Sequence, residues 1–374
     1  MAWNWQSPDW PNFRWDHSRI AAAEDQFLLG SGVAIGTVKH LDEDDHKQLQ
    51  VELLSGEAVT TSAIEGEIIN RASVQSSILR QLGLASPDKR RITPAEQGIA
   101  EMMVDLYRSF AQPLSRQMLF DWHRMVTAGR RDLADIGQFR TSQEPMQIIS
   151  GPIGAPTVHF EAPPSKQVPT EMGRFISWFN RTAPSGKGPL SAITRAGMAH
   201  LYFESVHPFE DGNGRIGRAI AEKALTQSFD QPMLVTLATT ILAHQKSYYL
   251  ALERANRQID ISDWLVWFAE IALEAQRRSI ALVELIIAKT KMLDRLRGQI
   301  NVRQEMALLR MFREGPEGFK GGLSAGNYST ITGASPATTT RDLADLVEKG
   351  ALIRRGERKH ARYTMNLPKH RSLS

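Results

Sequence analysis

Apolar residues recur at helical spacing over most of this chain. Ala196, Ala199, Phe203 and Val206 follow the i, i+3, i+7, i+10 order of one buried helix face. The same pattern predicts helices within 41–84, interrupted near Gly56 and Gly66, and over 96–130 and 166–206. Helices continue through residue 298, and Leu282, Leu285, Ile286, Leu293 and Leu296 mark 281–297 as a connecting helix. One stretch has a different texture. Residues 146–150 and 157–160 carry β-branched and apolar side chains on both sides of a Gly/Pro run at 151–156. That is the pattern of a small hairpin, closed off by Pro163-Pro164.

Residues 300–374 read as a separate unit. Two helical stretches end near Gly322 and Gly333. A third begins at Ser335-Pro336, an N-cap followed by a first-turn proline, and stops at Lys349-Gly350. Residues 351–355 and 361–365 then flank a polar turn and read as a hairpin. Three helices and a hairpin is the order of a winged helix-turn-helix. The chain contains no internal repeat or low-complexity tract.

Composition narrows the class. A chain of 374 residues with 42% hydrophobic and 23% charged positions can bury a core in two or three packed units. The absence of cysteine excludes disulfides, thiolate metal sites and cysteine nucleophiles, and reads as cytoplasmic. The N-terminus is polar and holds three Trp in its first ten positions, which suits packing against the body and not a signal peptide. No apolar run is long enough to cross a bilayer, so no membrane partner is expected. Charge is uneven. Residues 301–374 hold 13 Lys/Arg against seven Asp/Glu, whereas the remainder holds 32 against 34. A basic C-terminal unit invites a polyanion such as DNA. Residues 336–343 would be the recognition helix, and Arg354, Arg355, Arg358, Lys359 and Arg362 the wing. A docking or dimer-forming role for the same unit stays open.

The candidate chemistry lies in His207-Pro-Phe-Glu-Asp-Gly-Asn-Gly-Arg-Ile-Gly-Arg218. Pro208 ends one helix, and the next starts near Gly214. A glycine-rich turn entering a helix offers backbone N–H groups at the helix's positive end, an anion site. Gly212 and Gly214 let the backbone approach the anion, and Asn213 has an amide to donate. Arg215 and Arg218 fall on one side of the first turn. Cations there oppose the helix dipole, which a polyphosphate explains better than stability does. Asp211 is a single carboxylate beside this nest, suited to Mg²⁺ carried by a nucleotide. Histidine's ordinary pKa lies near neutrality, so His207 suits a proton acceptor.

This loop resembles the signature of the Fic family, His-x-Phe-x-Asp/Glu-Gly-Asn-Gly-Arg-x-x-Arg, and meets every specified position. The resemblance implies a mainly α fold: a Fic-type helical bundle with a small β-hairpin flap, followed here by the C-terminal winged helix-turn-helix domain. It implies AMPylation, the transfer of AMP from ATP to a Ser, Thr or Tyr hydroxyl of a target protein or of the chain itself. His207 would deprotonate that hydroxyl and Asp211 would hold Mg²⁺. Asn213, Arg215 and the glycine backbone would hold the α- and β-phosphates, and Arg218 the γ-phosphate.

The resemblance extends outward from the loop. Ile148, Ile149, Val158 and His159 are candidates for the flap that docks a target backbone, the alternative being an ordinary surface hairpin. Tyr248, Tyr249 and Asn256 are candidates for the adenine side, the alternative being two core tyrosines and a helix-end Asn. Thr61-Ser-Ala-Ile-Glu65-Gly66 resembles the family's inhibitory motif. Gly66 is a helix stop, which puts Glu65 in the last turn, where an anion needs a cationic partner. In the family that partner is the second signature arginine, here Arg218. The alternative is a surface Glu on a capped helix. Removal of AMP, or transfer of another nucleotide such as UMP, by the same site stays open. Family members often form dimers, so a homodimer is expected. The expected organisation is an N-terminal helical region with the inhibitory helix (1–95), a Fic core (96–275), a linking helix (276–299) and the winged unit (300–374).

Overall fold

The computed structural model of the protein describes residues 2–39, 41–84, 91–151, 157–229, 235–315, 318–319 and 321–367. The chain forms two compact units, residues 1–35 with 50–279, and residues 36–49 with 280–374. Among the described residues no helix is long and apolar enough to cross a membrane.

The first unit is helical except for one hairpin. In chain order it draws on α1 (Ala21–Val38), α2 (Glu43–Ile64), α3 (Arg71–Gln81), α4 (Pro94–Arg108) and α5 (Arg116–Val126). The hairpin β1 (Gln147–Ser150) and β2 (Thr157–Glu161) follows. Then come α6 (Val168–Arg181), α7 (Ala192–Val206), α8 (Asn213–Gln227), α9 (Leu237–Ala243), α10 (Gln245–Ala255) and the start of α11 (Ser262–Leu296). The central helix is α7. Ala196, Ala199, Phe203 and Val206 are fully buried as their spacing predicts, and every other residue from Ile193 onward is buried too. A helix covered on all sides must pair its polar groups internally. Arg195 does so by donating to the Phe179 carbonyl (3.0 Å) and Gln227 Oε1 (2.8 Å).

Several boundaries differ from the sequence expectation. Gly56 does not interrupt α2, because one glycine costs a 22-residue helix little when its neighbours are packed. The helical stretch 96–130 is two helices, broken where Pro113 removes a donor. The boundary near residue 95 does not separate two bodies. Leu54, Ala58, Ile64, Val74 and Ile78 belong to the same core as α7 and α8.

The hairpin forms where expected, antiparallel, with Ile148 opposite Phe160, Ile149 opposite Val158 and a bulge between Ile148 and Ile149. Its turn at 152–156 lies outside the described residues. In the second unit, α12 (Val302–Phe312), α13 (Ala325–Thr332) and α14 (Pro336–Glu348) precede β3 (Leu352–Arg355) and β4 (Arg362–Met365). Its first helix ends before Gly315, not near Gly322; Gly315 has φ +79°. Ser335 caps α14, with Pro336 in its first turn. A bridge from Leu323 to Tyr363 adds to the hairpin, and Leu308, Tyr328, Leu343 and Leu352 share the core beneath.

Candidate active site

The turn between α7 and α8 is held from outside. His207 closes α7 in the left-handed region (φ +48°, ψ +62°), which costs a non-glycine residue about 1–2 kcal/mol. Such strain persists only when neighbours over-determine it. Here Arg140 does so. Its backbone N–H donates to the Pro208 carbonyl (2.9 Å) and its Nε to the His207 carbonyl (2.8 Å). Phe209, fully buried, stacks on the His123 ring at 4.2 Å. The Gly137 N–H donates to His123 Nδ1 (2.9 Å), so His123 carries its proton on Nε2 and gives it to the Asp211 carbonyl (3.1 Å). Burial holds His123 neutral, its pKa pushed down to about 4. Glu210 anchors the far side by accepting the N–H groups of Ala134 (2.9 Å) and Asp135 (3.1 Å).

The His207 imidazole is mostly covered, with 14% of the side chain exposed, and desolvation first, then repulsion from Arg140, lowers its pKa to about 4. It is therefore an unprotonated base at neutral pH. Glu204 Oε2 lies 3.7 Å from His207 Nδ1. Burial pushes the Glu204 carboxyl up to about 8, so at neutral pH this is mainly a pair of neutral groups and not an ion pair.

The helix N-terminus is uncapped by side chains, because its N-cap is Gly212 at φ +82°. A Cβ on Gly212 would fall 2.9 Å from Val126. Asn213 uses both ends of its amide on the Phe209 backbone, accepting from N–H and donating to the carbonyl at 2.9 Å each. Its side chain thus shapes the turn.

Asp211 accepts the Gly212 N–H and pairs with Arg130; Arg215 Nη2 lies 3.5 Å from it. Burial raises its pKa, but Arg215, the Gly212 N–H and Arg130 together outweigh that and hold it below the ordinary range. An ionised carboxylate beside a helix N-terminus fits a nucleotide's divalent ion. Among the described residues no group of three or more His, Asp or Glu could hold a metal unaided.

Both signature arginines are nearly fully buried and both carry a carboxylate. Arg218 donates Nη2 to Glu65 Oε1 (2.7 Å) and to the Thr61 carbonyl (2.9 Å), and Nε to Thr61 Oγ1 (2.8 Å). Arg215 Nη1 donates to Glu67 Oε2 (2.8 Å) and the Val126 carbonyl (3.1 Å). One chain reversal supplies both glutamates. Gly66 (φ +79°) ends α2, its N–H reaching the Ala63 carbonyl and the Glu67 N–H reaching the Ser62 carbonyl. This is a Schellman cap. A Cβ on Gly214 would fall 2.2 Å from Glu65 Oε1, so that carboxylate lies directly on the opening of α8. The end of α2 is held in turn by Gln245 Nε2 (3.0 Å) and the Tyr249 hydroxyl (3.1 Å), both donating to the Ile64 carbonyl.

Of the adenine-side candidates, Tyr249 is half-exposed, with its hydroxyl on the Ile64 carbonyl at the end of α2. Tyr248 and Asn256 require correction. Tyr248 points into the core, its hydroxyl bonded to His200 Nε2 (2.8 Å). Asn256 is buried at the end of α10 and accepts from Ser205 Oγ (3.1 Å). Consecutive residues on a helix face different directions, so only one of Tyr248-Tyr249 can face the site. Ile148 and Ile149 are exposed on β1, while Val158 and His159 are partly covered on β2. Sequence reasoning passed over His123, Arg130, Arg140, Glu204 and Glu67. The one local signal was Glu204, three residues before His207 and so on its helix face.

Residues 113–225 match the Fic/DOC family, and residues 3–84 match a domain of unknown function (DUF4172). The protein adenylyltransferase fic-1 of Caenorhabditis briggsae is 24% identical over 201 residues, covering 52% of this chain and 35% of its own length. The protein adenylyltransferase Fic of Culex quinquefasciatus is 29% identical over 138 residues, covering 37% of this chain and 24% of its own. The matched region thus spans only a minor part of these relatives. A Fic family protein from Desulfovibrio desulfuricans G20 shares the fold, with a TM-score of 0.53 at 20% identity, over 93% of this chain and 97% of that one.

Proposed function

We propose that this chain, which carries a Fic domain, is an autoinhibited protein adenylyltransferase that moves AMP from Mg-ATP to a protein hydroxyl, its own included. The observation that carries this reading is Glu65 Oε1, seated on the opening of α8 and bonded to Arg218. An anion already stands where a helix N-terminus and a buried arginine favour one, and the loop beside it holds a neutral imidazole.

In the transfer, the acceptor oxygen forms a bond to the α-phosphorus and the bond to the bridging oxygen of pyrophosphate breaks. His207 takes the hydroxyl proton, and pyrophosphate leaves with the electron pair. The first-turn N–H groups of α8 and Arg215 offset the charge on the phosphates, and Arg218 takes the terminal one once Glu65 withdraws. A Mg²⁺ ion bound with the nucleotide, held by Asp211, would neutralise phosphate charge. Most of the rate then comes from positioning and charge stabilisation. The two-stranded hairpin would dock the acceptor's backbone along its free edge.

The test is to incubate Glu65→Gly protein with Mg-ATP labelled on the α-phosphate and locate the adduct by mass spectrometry. Label on the protein that disappears in Glu65→Gly/His207→Ala supports the reading. No label on the released form, or label that survives loss of His207, overturns it.

A second reading concerns the second unit. Arg341, Arg354, Arg355 and Arg358 are exposed, and no ion pair engages them among the described residues. The side chain of Lys359 lies outside the described residues. Such a surface suits the phosphates of duplex DNA. Binding by the full chain that weakens steeply with salt, and is lost in Arg354→Ala/Arg355→Ala, supports this; salt-independent retention opposes it.

A further inference from the structure

We propose that residues 3–6 are a clasp that positions the hairpin for the acceptor protein, with Trp3, Asn4 and Trp5 as positioning residues. The proposal rests on the reading that this hairpin docks the acceptor backbone. A lone two-stranded hairpin is marginal in water, so what it leans on decides where it sits. All four residues of β1 are exposed. Its purchase on the body therefore comes through β2.

The N-terminal segment grips β2 at two places. Trp3 meets the buried Phe160 ring edge-on, centroids 5.4 Å apart, and the Phe160 ring lies 6.5 Å from the His207 ring. Trp5 donates its indole N–H to the Glu161 carbonyl (2.7 Å), at the end of the strand. The segment is itself tied to the catalytic helix. Asn4, 1% exposed, donates its amide to Ser205 Oγ (2.8 Å), two residues before His207, and its backbone N–H to the Asn256 carbonyl (2.7 Å).

A polar chain closes the grip from the outer face. The Arg257 guanidinium covers the Trp3 ring at 4.5 Å and lies 3.8 Å from Glu253 Oε1. Glu253 Oε2 meets His159 Nδ1 at 3.2 Å, and His159 Nε2 meets Ser150 Oγ at 2.6 Å. Trp3 is thus linked to both strands, through Phe160 on one side and through His159 and Ser150 on the other. These contacts give the start of the domain of unknown function a task. Its first residues set the hairpin and, sixty residues on, its Glu65 covers α8.

The experiment compares Trp3→Ala and Trp3→Phe in the Glu65→Gly protein. Three quantities are read: amide hydrogen exchange of residues 157–161, Mg-ATP affinity by calorimetry in the added His207→Ala background, and incorporated label. Exchange in Trp3→Ala should rise about tenfold, because few other contacts protect this strand. Labelling should fall about tenfold while nucleotide affinity shifts by less than about twofold, and Trp3→Phe, which keeps an aromatic face, should restore both. Unchanged exchange, or affinity falling in step with labelling, overturns the clasp. If the Glu65→Gly parent neither binds nor incorporates nucleotide, the transfer reading fails on its own, and the exchange of 157–161 still decides the clasp.

Discussion

Glu65 Oε1 stands 2.7 Å from Arg218 Nη2, and the same oxygen occupies the place a Cβ on Gly214 would need. One carboxylate therefore covers two anion-binding features at once. Removing it leaves Arg218 with Thr61 alone and opens the first turn of α8. A charge-assisted bond of this kind is worth about 1.5–3 kcal/mol. Glu65→Gly should therefore tighten Mg-ATP binding by about ten- to a hundredfold. Calorimetry on the two proteins reads this directly, and equal affinities would show that Glu65 does not compete with the nucleotide.

Glu67 repeats the arrangement on the neighbouring arginine, with Oε2 2.8 Å from Arg215 Nη1. The Glu67 side chain is 34% exposed, much as Glu65 is at 32%, so solvent screens both pairs, but only Glu65 also lies against Gly214 at the opening of α8. Glu67→Gln on top of Glu65→Gly should tighten nucleotide binding by a further two- to fivefold, on the order of 0.5–1 kcal/mol. The double variant binding no better than the single would mean that Arg215 changes partners at no cost.

What could be read in advance followed sequence distance. The turn from His207 to Arg218 is local, and its glycines, proline and helix start are visible as letters. Glu65 was reached through the resemblance of residues 61–66 to the family's inhibitory motif, with the helix stop at Gly66 in support, although its partner lies 153 residues away. The hairpin announced itself by β-branched and apolar residues on both sides of a Gly/Pro run. By contrast, Arg140 holding the His207 carbonyl, His123 under Phe209 and Asn4 on Ser205 join segments 67, 86 and 201 residues apart. No local pattern encodes such pairs. Tyr248 and Asn256 were misplaced for a related reason: the rotation of α10 is decided by what packs against it, and its spacing alone does not fix which tyrosine turns inward.

Glycines in this chain differ sharply in what they allow. A Cβ on Gly56, inside α2, meets nothing within 4 Å. Gly56→Ala should therefore stabilise the fold by about 0.5–1 kcal/mol through a less flexible unfolded chain and better helix propensity. Thermal denaturation should show a Tm raised by about 1–3 °C for a chain of this size. Gly214→Ala should do the opposite to function, since its methyl would occupy the space of the Glu65 oxygen in the resting protein and of a phosphate oxygen in the released one. In the Glu65→Gly background it should weaken Mg-ATP binding by at least about tenfold, the effect of about 1.4 kcal/mol. A Gly56→Ala protein that melts lower, or a Gly214→Ala protein that binds as its parent does, would contradict this account of the two positions.

Behind Arg218 two buried carboxyls face each other from different helices, Glu57 on α2 and Glu222 on α8. Glu57 accepts the Ala238 N–H (2.7 Å), the Thr239 N–H (3.1 Å) and Thr239 Oγ1 (2.8 Å), capping α9. Glu222 accepts the Val235 N–H with Oε1, while its Oε2 has no partner among the described residues. Burial pushes Glu57 up to about 7 despite those hydrogen bonds and the nearby Arg218 charge. Burial, then repulsion from Glu57, pushes Glu222 well above the ordinary glutamate range. The folded protein thus keeps protons that the unfolded chain releases near pH 4.5. A group raised on folding stabilises below its unfolded pKa, and that contribution is lost as pH climbs through the folded value. The stability contributed by this pair should therefore decline from about pH 5 upward through the Glu57 value of about 7. Glu222→Gln keeps the neutral form without a titrating proton. Its Tm should decline less over the same range than that of the parent, measured by calorimetry at matched ionic strength. Parallel curves for the two proteins would show that this pair does not set the slope.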